Sequence, residues 1–279
     1  MKKITNKKMI VSGDFVEIFE FEEGVIYGKD DRPRKSTYVG IRKENTLENR
    51  QRSLGTAKGN LKRLINANAG KWEDKYGQWF MPVFLTLTFA ENITNIKRAN
   101  RIFSKFKQRL DYEIMGKKKS YLKYVGIIEF QKRGAIHYHV LIFNLPYLEN
   151  IYDKIREIWG EGHIIVKSIK DIKTVASYVC KYMTKGKADE RLCGQKSYFS
   201  SNGLKKPIEI LNDSQITEIL NSDLENVEFR EDKFVSEFCG ETRYRVYNLQ
   251  DMKAAGKNPK EFLDKINPNL IAIKFNDTV

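Results

Sequence analysis

Cysteine and histidine are scarce in this sequence, with three of each among 279 residues. Cys180, Cys193 and Cys239 are odd in number and contain no C-x-x-C pair. That argues against a disulfide framework or a cysteine zinc site and fits a reducing, cytoplasmic setting. No run of about 18 apolar residues occurs, so no membrane span is expected. Residues 1–12 are basic, but their apolar part is only Met9-Ile10-Val11 and Asp14 follows, so no signal peptide is expected. There is no internal repeat. There is also no G-x-x-x-x-G-K-[ST], so the chain carries no P-loop helicase of its own.

Positive charge is what the chain has in surplus. Fifty Lys and Arg stand against 36 Asp and Glu, a formal net charge of +14. Such a surplus suits a polyanion partner, although many basic proteins bind none. Aromatic residues, at 12%, supply surfaces on which unpaired bases could stack. The length accommodates one large domain or two small ones with ample core.

Two of the three histidines fall in one short stretch. Residues 126–144 read Gly-Ile-Ile-Glu-Phe-Gln-Lys-Arg-Gly-Ala-Ile-His-Tyr-His-Val-Leu-Ile-Phe-Asn. Apolar-rich runs at 125–130 and 135–143 flank a polar break at 131–134, the pattern of a β-hairpin. His137 and His139 are two apart, so both rings leave the same face of their strand. A turn near Arg133 and Gly134 brings Glu129 opposite one of them, and an even register puts it on their face. Two imidazoles and a carboxylate form a set able to hold a divalent cation with positions left open. The competing reading is a pair of surface histidines; the shared face beside a carboxylate favours the metal.

Residues 171–187 predict a helix, with Asp171 to cap its start and Gly186 to end it. Ile172, Val175, Ala176, Val179 and Met183 form a buried stripe at helical spacing. Tyr178, Lys181, Tyr182 and Lys185 form a second stripe roughly 100° away. The plain reading is a solvated Lys/Tyr face; the chemical one is a tyrosine nucleophile steadied by lysine.

The strand Phe84-Leu85-Thr86-Leu87-Thr88-Phe89, the element His137-Tyr138-His139 and the Tyr-x-x-Lys-Tyr-x-x-Lys helix occur in that order. Together they resemble the three motifs of the HUH endonucleases that initiate rolling-circle replication. The two-tyrosine helix and the segment 196–207 resemble the initiators of small phages and plasmids, in the style of filamentous-phage gene II proteins. The resemblance covers roughly residues 8–250. The middle residue of the second motif, Tyr138, departs from the family's His-hydrophobe-His form. The resemblance implies Glu129, His137 and His139 as ligands of Mg²⁺ or Mn²⁺. It also implies a tyrosine nucleophile at Tyr178 or Tyr182, with Lys181 and Lys185 beside them. The implied activity is nicking of single-stranded origin DNA through a 5′-phosphotyrosine link, with a free 3′-OH primer, and rejoining of strand ends. The partners would be origin DNA and the host polymerase and helicase. Lys132, Arg133, Lys205 and Lys206 are candidate DNA contacts. Relaxase- or transposase-type relatives share this chemistry. A water-using nuclease would form no covalent link, and a non-catalytic origin-binding repressor would not need the tyrosines.

Taken in order, residues 7–29 predict a strand hairpin breaking at Glu23-Gly24, and residues 30–53 a charged loop. A basic helix at 54–69 and a polar turn at 71–78 precede the strand at 80–89. A helix at 95–110 and the hairpin follow, then a helix at 148–159 and a strand at 162–169. His163 is read as structural or DNA-facing. Residues 208–229 look helical and 234–247 like added edge strands. The expected fold class is α+β, an antiparallel sheet with helices packed on one face, an RRM-like core with extensions at both ends. The expected division is an extension at 1–75, a nuclease core at 76–190, its continuation at 191–250 and a tail at 251–279.

Overall fold

The computed structural model describes residues 3–27, 47–169, 171–185 and 189–266, without the side chains of Lys3, Arg52, Thr184 and Lys185. The elements are β1 (Lys3–Ser12), β2 (Phe15–Tyr27), α1 (Leu47–Asn66), β3 (Val83–Thr88), α2 (Ile96–Met115), β4 (Tyr124–Phe130), β5 (Ile136–Ile142), α3 (Ile151–Trp159), β6 (Ile164–Ser168), α4 (Ile172–Lys185), β7 (Phe199–Ser200), β8 (Ile208–Ile210), α5 (Asp213–Asn221), β9 (Phe229–Ser236), β10 (Gly240–Asn248), α6 (Leu249–Ala254) and α7 (Pro259–Ile266). The α+β class holds, with two antiparallel five-stranded sheets and helices. The chain forms two compact units, residues 42–205 and residues 1–41 with 206–279. These limits differ from the division expected at 75, 190 and 250.

In the unit of residues 42–205 the strand order is β6-β3-β5-β4-β7. Helices cover both faces of this sheet, not one. Phe103, Phe106 and Leu110 of α2 and Ile155 and Trp159 of α3 pack on Leu85, Leu87, Tyr138 and Val140. Leu61 and Ile65 of α1 and Val175, Val179 and Met183 of α4 pack on Phe84, Val125, Ile127 and Leu141. Burial on both sides explains why β3 carries apolar residues on each face, Val83, Leu85 and Leu87 on one and Phe84 on the other, each such side chain contributing about 1.5–3 kcal/mol. Caps fix the helix ends. Asn95 accepts from the Arg98 N–H and Gly116, at φ 63°, donates to the Tyr112 carbonyl. Asp171 accepts from the Lys173 N–H at 2.9 Å, as the sequence suggested.

Helix α1 starts at Leu47, inside the stretch expected to be a loop; Arg50 there is held by a hydrogen bond to the Leu192 carbonyl at 2.8 Å. The rest of that expected loop, and the expected stop at Gly186, lie outside the described residues.

The other unit has the order β8-β1-β2-β10-β9. Its hairpin turns at Gly13, φ 60°, and not at Gly24. Gly24 lies inside β2, where the chain is extended and no left-handed backbone is needed. A register shift at Thr5/Lys7 is bound by Asp213, which accepts from the Thr5 hydroxyl and from the Asn6 and Lys7 N–H groups at 3.0 and 3.1 Å. Ile208–Ile210 is a strand, and only Asp213–Asn221 of the expected long helix is helical. The expected edge strands, β9 and β10, belong to this sheet, with β10 inside it. Within the expected tail at 251–279, the described residues 251–266 are docked, because Met252, Phe262 and Ile266 are buried against Met9, Ile18 and Ile216; residues 267–279 lie outside the described residues.

Candidate active site

Strand pairing sets the site. Across β6-β3-β5-β4, one row of side chains on a single face is Lys167, Phe84, Leu141 and Val125. The next is Ile165, Thr86, His139 and Ile127; beyond it lie Thr88, His137 and Glu129. Both histidines and the carboxylate therefore share the face that α4 covers. Tyr138, between the histidines, points to the opposite face. It is fully buried there, stacks on Phe103 at 4.9 Å and donates from its hydroxyl to Asn100 Oδ1 at 2.6 Å. The departure from the family's hydrophobe is thus accommodated as a core tyrosine with a satisfied hydroxyl.

His139 is the hub. Its Nε2 lies 2.6 Å from Glu129 Oε2 and its Nδ1 3.2 Å from Thr86 Oγ1. With the carboxylate ionised, Nε2 carries the proton of that bond, and Nδ1 of the neutral ring accepts from the threonine hydroxyl. The hydroxyl can also accept, so the same pair serves a ring whose Nε2 lone pair is given to a cation. The His137 ring stands 6.1 Å from that of His139, centroid to centroid. The donor types, one carboxylate and two imidazoles on a shared face, suit a divalent cation. As the side chains stand, no three His, Cys, Asp or Glu residues among the described residues are gathered closely enough to hold one.

Both phenols of α4 reach the same place. The Tyr182 ring stacks on His139 at 3.8 Å and on Phe84 at 5.5 Å; Tyr178 meets Phe84 edge-on at 5.1 Å. The Tyr182 hydroxyl donates to that of Tyr178 at 3.2 Å. Lys181 Nζ lies 3.9 Å from the Tyr178 ring centroid and 5.1 Å from that of Tyr182. The Lys185 side chain lies outside the described residues.

The two phenols differ in acidity. Burial pushes Tyr178 up, but the hydrogen bond from Tyr182 and the charges of Lys167 and Lys181 outweigh it and hold this phenol below its ordinary value. Burial, the hydrogen bond it donates and the charge of Glu129 all push Tyr182 up. Lys167 comes to Tyr178 from β6 and adds positive charge beside the phenol. Sequence reading missed Lys167. It lies outside the tyrosine motif, and only the pairing of Phe84 with both Leu141 and Lys167 brings it to this face. Cys180, between the tyrosines, is buried toward α1, where it donates to the Lys58 carbonyl at 3.8 Å; burial pushes its thiol up to about 11.

The candidate DNA contacts are spread out. Lys132 and Arg133 lie at the β4–β5 turn, with the Arg133 guanidinium donating to the Phe89 carbonyl at 2.6 Å. Arg191, which the sequence did not single out, lies 3.9 Å over the Phe130 ring and pairs with Asp189 at 2.7 Å. Lys205 sits instead beside Trp72, ahead of the other end of β3, 5.4 Å from its ring centroid. Lys206 is exposed and belongs to the other unit. His163 is exposed, and its carbonyl accepts from the Thr88 N–H at 2.8 Å. Among the described residues no helix is long and apolar enough to cross a membrane.

Residues 82–187 match the family of replication-associated proteins named for ORF2 and the phage gene II protein, and the match encloses every metal-ligand and tyrosine candidate. The chain is also 37% identical over 86 residues to the Phasyl DNA replicon protein arp of Escherichia coli, across 30% of this chain and 28% of that protein. It thus spans less than a third of that relative. No solved structure matches the chain significantly. Over its β3-to-α4 segment the chain resembles a rolling-circle-type replication protein of the ORF2 and gene II protein family.

Proposed function

We propose that this protein initiates rolling-circle replication by nicking single-stranded origin DNA with Tyr178 as the first nucleophile. The observation that carries the reading is the meeting of two phenols, two lysines, two imidazoles and a carboxylate on one sheet face. Glu129, His137 and His139 would hold Mg²⁺ or Mn²⁺. Such an ion supplies charge that polarises the scissile phosphate. Thr86 keeps the His139 ring in register for either tautomer.

Tyr178 loses its proton to solvent, and the anion is stabilised by Lys167, Lys181 and the hydroxyl of Tyr182. Its oxygen bonds to phosphorus as the P–O3′ bond breaks. The leaving O3′ takes a proton from solvent and becomes the 3′-OH from which a host polymerase would extend, with a host helicase opening the duplex ahead. The phosphotyrosine bond keeps the phosphodiester energy, so a later 3′-OH can attack it and close a circle. Tyr182, one turn on, is placed to act second. While it donates to Tyr178 and stacks on His139 its own proton is held, which supports this order.

The test uses labelled single strands tiled across the DNA flanking the reading frame, incubated with Mn²⁺ and separated on a denaturing gel. The expected result is label migrating with the protein, lost when Tyr178 and Tyr182 are both Phe and when His137 is Ala. Cleaved strand without protein-linked label would mean a hydrolytic nuclease. Binding without any cleavage would mean a repressor.

A further inference from the structure

Residues 71–81 lie just ahead of the stretch that matches the replication family. The sequence reads as a polar turn here, but the structure builds a miniature hairpin. Glu73 and Trp79 form a bridge, the Asp74 N–H donates to the Gln78 carbonyl at 2.9 Å, and the Phe80 N–H donates to the Trp72 carbonyl at 2.9 Å. Asp74 Oδ1 accepts from the Tyr76 and Gln78 N–H groups at 2.8 and 2.9 Å, and Gly77, at φ 77°, makes the reversal. A loop tied this closely keeps its shape when its tip is in solvent.

What it presents is aromatic and basic. Tyr76 is 76% exposed and Trp79 57%, two exposed rings within four residues of one tied loop. Lys75 Nζ lies 4.8 Å from the Tyr76 ring centroid. At the base, Trp72 has Lys123 at 5.5 Å and Lys205 at 5.4 Å from its ring centroid. The base is fixed from below by Asn68, which is fully buried. Its Oδ1 accepts from the Trp72 indole at 3.2 Å and the Lys205 N–H at 3.0 Å; its Nδ2 donates to the Leu64 and Lys205 carbonyls. The Ile172 side chain packs over Gly70, so the hairpin leaves the fold beside the first residue of the tyrosine helix. Tyr178 is six residues further along that helix, a rise of about 9 Å.

We propose that the 71–81 hairpin, with Lys123 and Lys205, is a holding site for an unpaired DNA strand, bases stacking on Tyr76 and Trp79 and phosphates meeting the lysines. The inference rests on the reading that the substrate is single-stranded DNA. Rings offer a face to any unpaired base, whereas bases in a duplex already stack on one another. The lysines add a sequence-independent attraction that weakens with salt. The hairpin would hold the strand a few nucleotides from the tyrosines and so keep a cut end from leaving.

The test measures fluorescence anisotropy of a labelled 20-nucleotide mixed-sequence strand, and of the matching duplex, with the full chain in EDTA so that no cleavage intervenes. The single strand is expected to bind more tightly than the duplex and to quench tryptophan emission. Tyr76→Ala with Trp79→Ala is expected to weaken single-strand binding by roughly 30-fold or more, and Tyr76→Ser alone by less, roughly 5-fold or more. That second change is at the exposed tip and leaves the core intact. Unaltered single-strand affinity in both variants, or an equal loss for strand and duplex, would overturn the inference. Covalent adduct formation by the unsubstituted chain is read in parallel. Hairpin-dependent binding without any adduct would defeat the nicking reading and leave this one standing; adduct formation with hairpin-independent binding would do the reverse.

Discussion

Both units are five-stranded antiparallel sheets with helices, yet they use their charged residues differently. On the sheet of residues 1–41 and 206–279, opposite charges neutralise one another between strands. Lys7 pairs with Glu20 at 3.4 Å, Arg245 with Glu20 at 3.3 Å and with Glu231 at 2.9 Å, and Lys233 with Glu241 at 3.4 Å. These are ladder contacts, each worth a few tenths of a kcal/mol up to about 1 kcal/mol. On the site face of residues 42–205, Lys181 lies over phenol rings, the charge of Lys167 favours a phenolate, and the Glu129 carboxylate bonds an imidazole. Charges that cancel along a strand stabilise a sheet. Charges gathered around polarisable, nucleophilic groups make a place where new charge can be held.

The largest expected effect falls on the site alone. Converting Tyr178 and Tyr182 together to Phe is expected to remove the covalent DNA adduct below detection. Asp213→Ala, in the other unit, is expected to leave adduct formation in place. Comparable loss from both would erase the contrast.

Next in size is packing. Phe84 carries both phenols and the His139 ring, and it is buried to 1%. Phe84→Ala is expected to cost about 3–5 kcal/mol, read as a lowered denaturant midpoint and faster amide exchange in β3 and α4. Asp213→Ala removes the hydrogen bonds to the Thr5 hydroxyl and to the Asn6 and Lys7 N–H groups at the Thr5/Lys7 bulge and is expected to cost about 1–3 kcal/mol, read in β1 exchange.

Smaller and more specific is the acidity of Tyr178. A phenol held below its ordinary value is more fully ionised at a given pH, so adduct formation should rise with pH and level off at lower pH than it would for an ordinary phenol. Lys167→Met removes a stabilising charge, and the rise should move to higher pH with about a tenfold loss near neutrality. Lys167→Arg should restore much of it. An unmoved profile would mean that Lys167 does not act on Tyr178. Smallest is Thr86→Val, expected to weaken Mn²⁺ affinity by about 10-fold, measured calorimetrically without DNA.

The legible part of the site was its periodicity. His137, His139 and Glu129 were placed on one face because side chains on a strand alternate, and Tyr178 and Tyr182 on one stripe because four residues nearly complete a helical turn. Lys167 was not legible, because strand order β6-β3-β5 is a tertiary fact that no local spacing encodes. The same limit hid the second sheet, in which β2 joins β10 across more than 200 intervening residues. The tail was misread because Lys, Gly and Pro near residues 253–260 suggest a loop. Met252, Phe262 and Ile266 nevertheless supply enough apolar surface to dock two short helices. The turn at 71–78 was legible, but not the Glu73–Trp79 bridge across it, because exposed rings give no period to detect.

The most direct measurement is peptide mass spectrometry of the covalent adduct formed on a single-stranded substrate with Mn²⁺, quenched after a single round. The nucleotide is expected on Tyr178, retained in Tyr182→Phe and lost in Tyr178→Phe. A first-round nucleotide on Tyr182, or cleaved DNA with no modified tyrosine at all, would contradict this expectation.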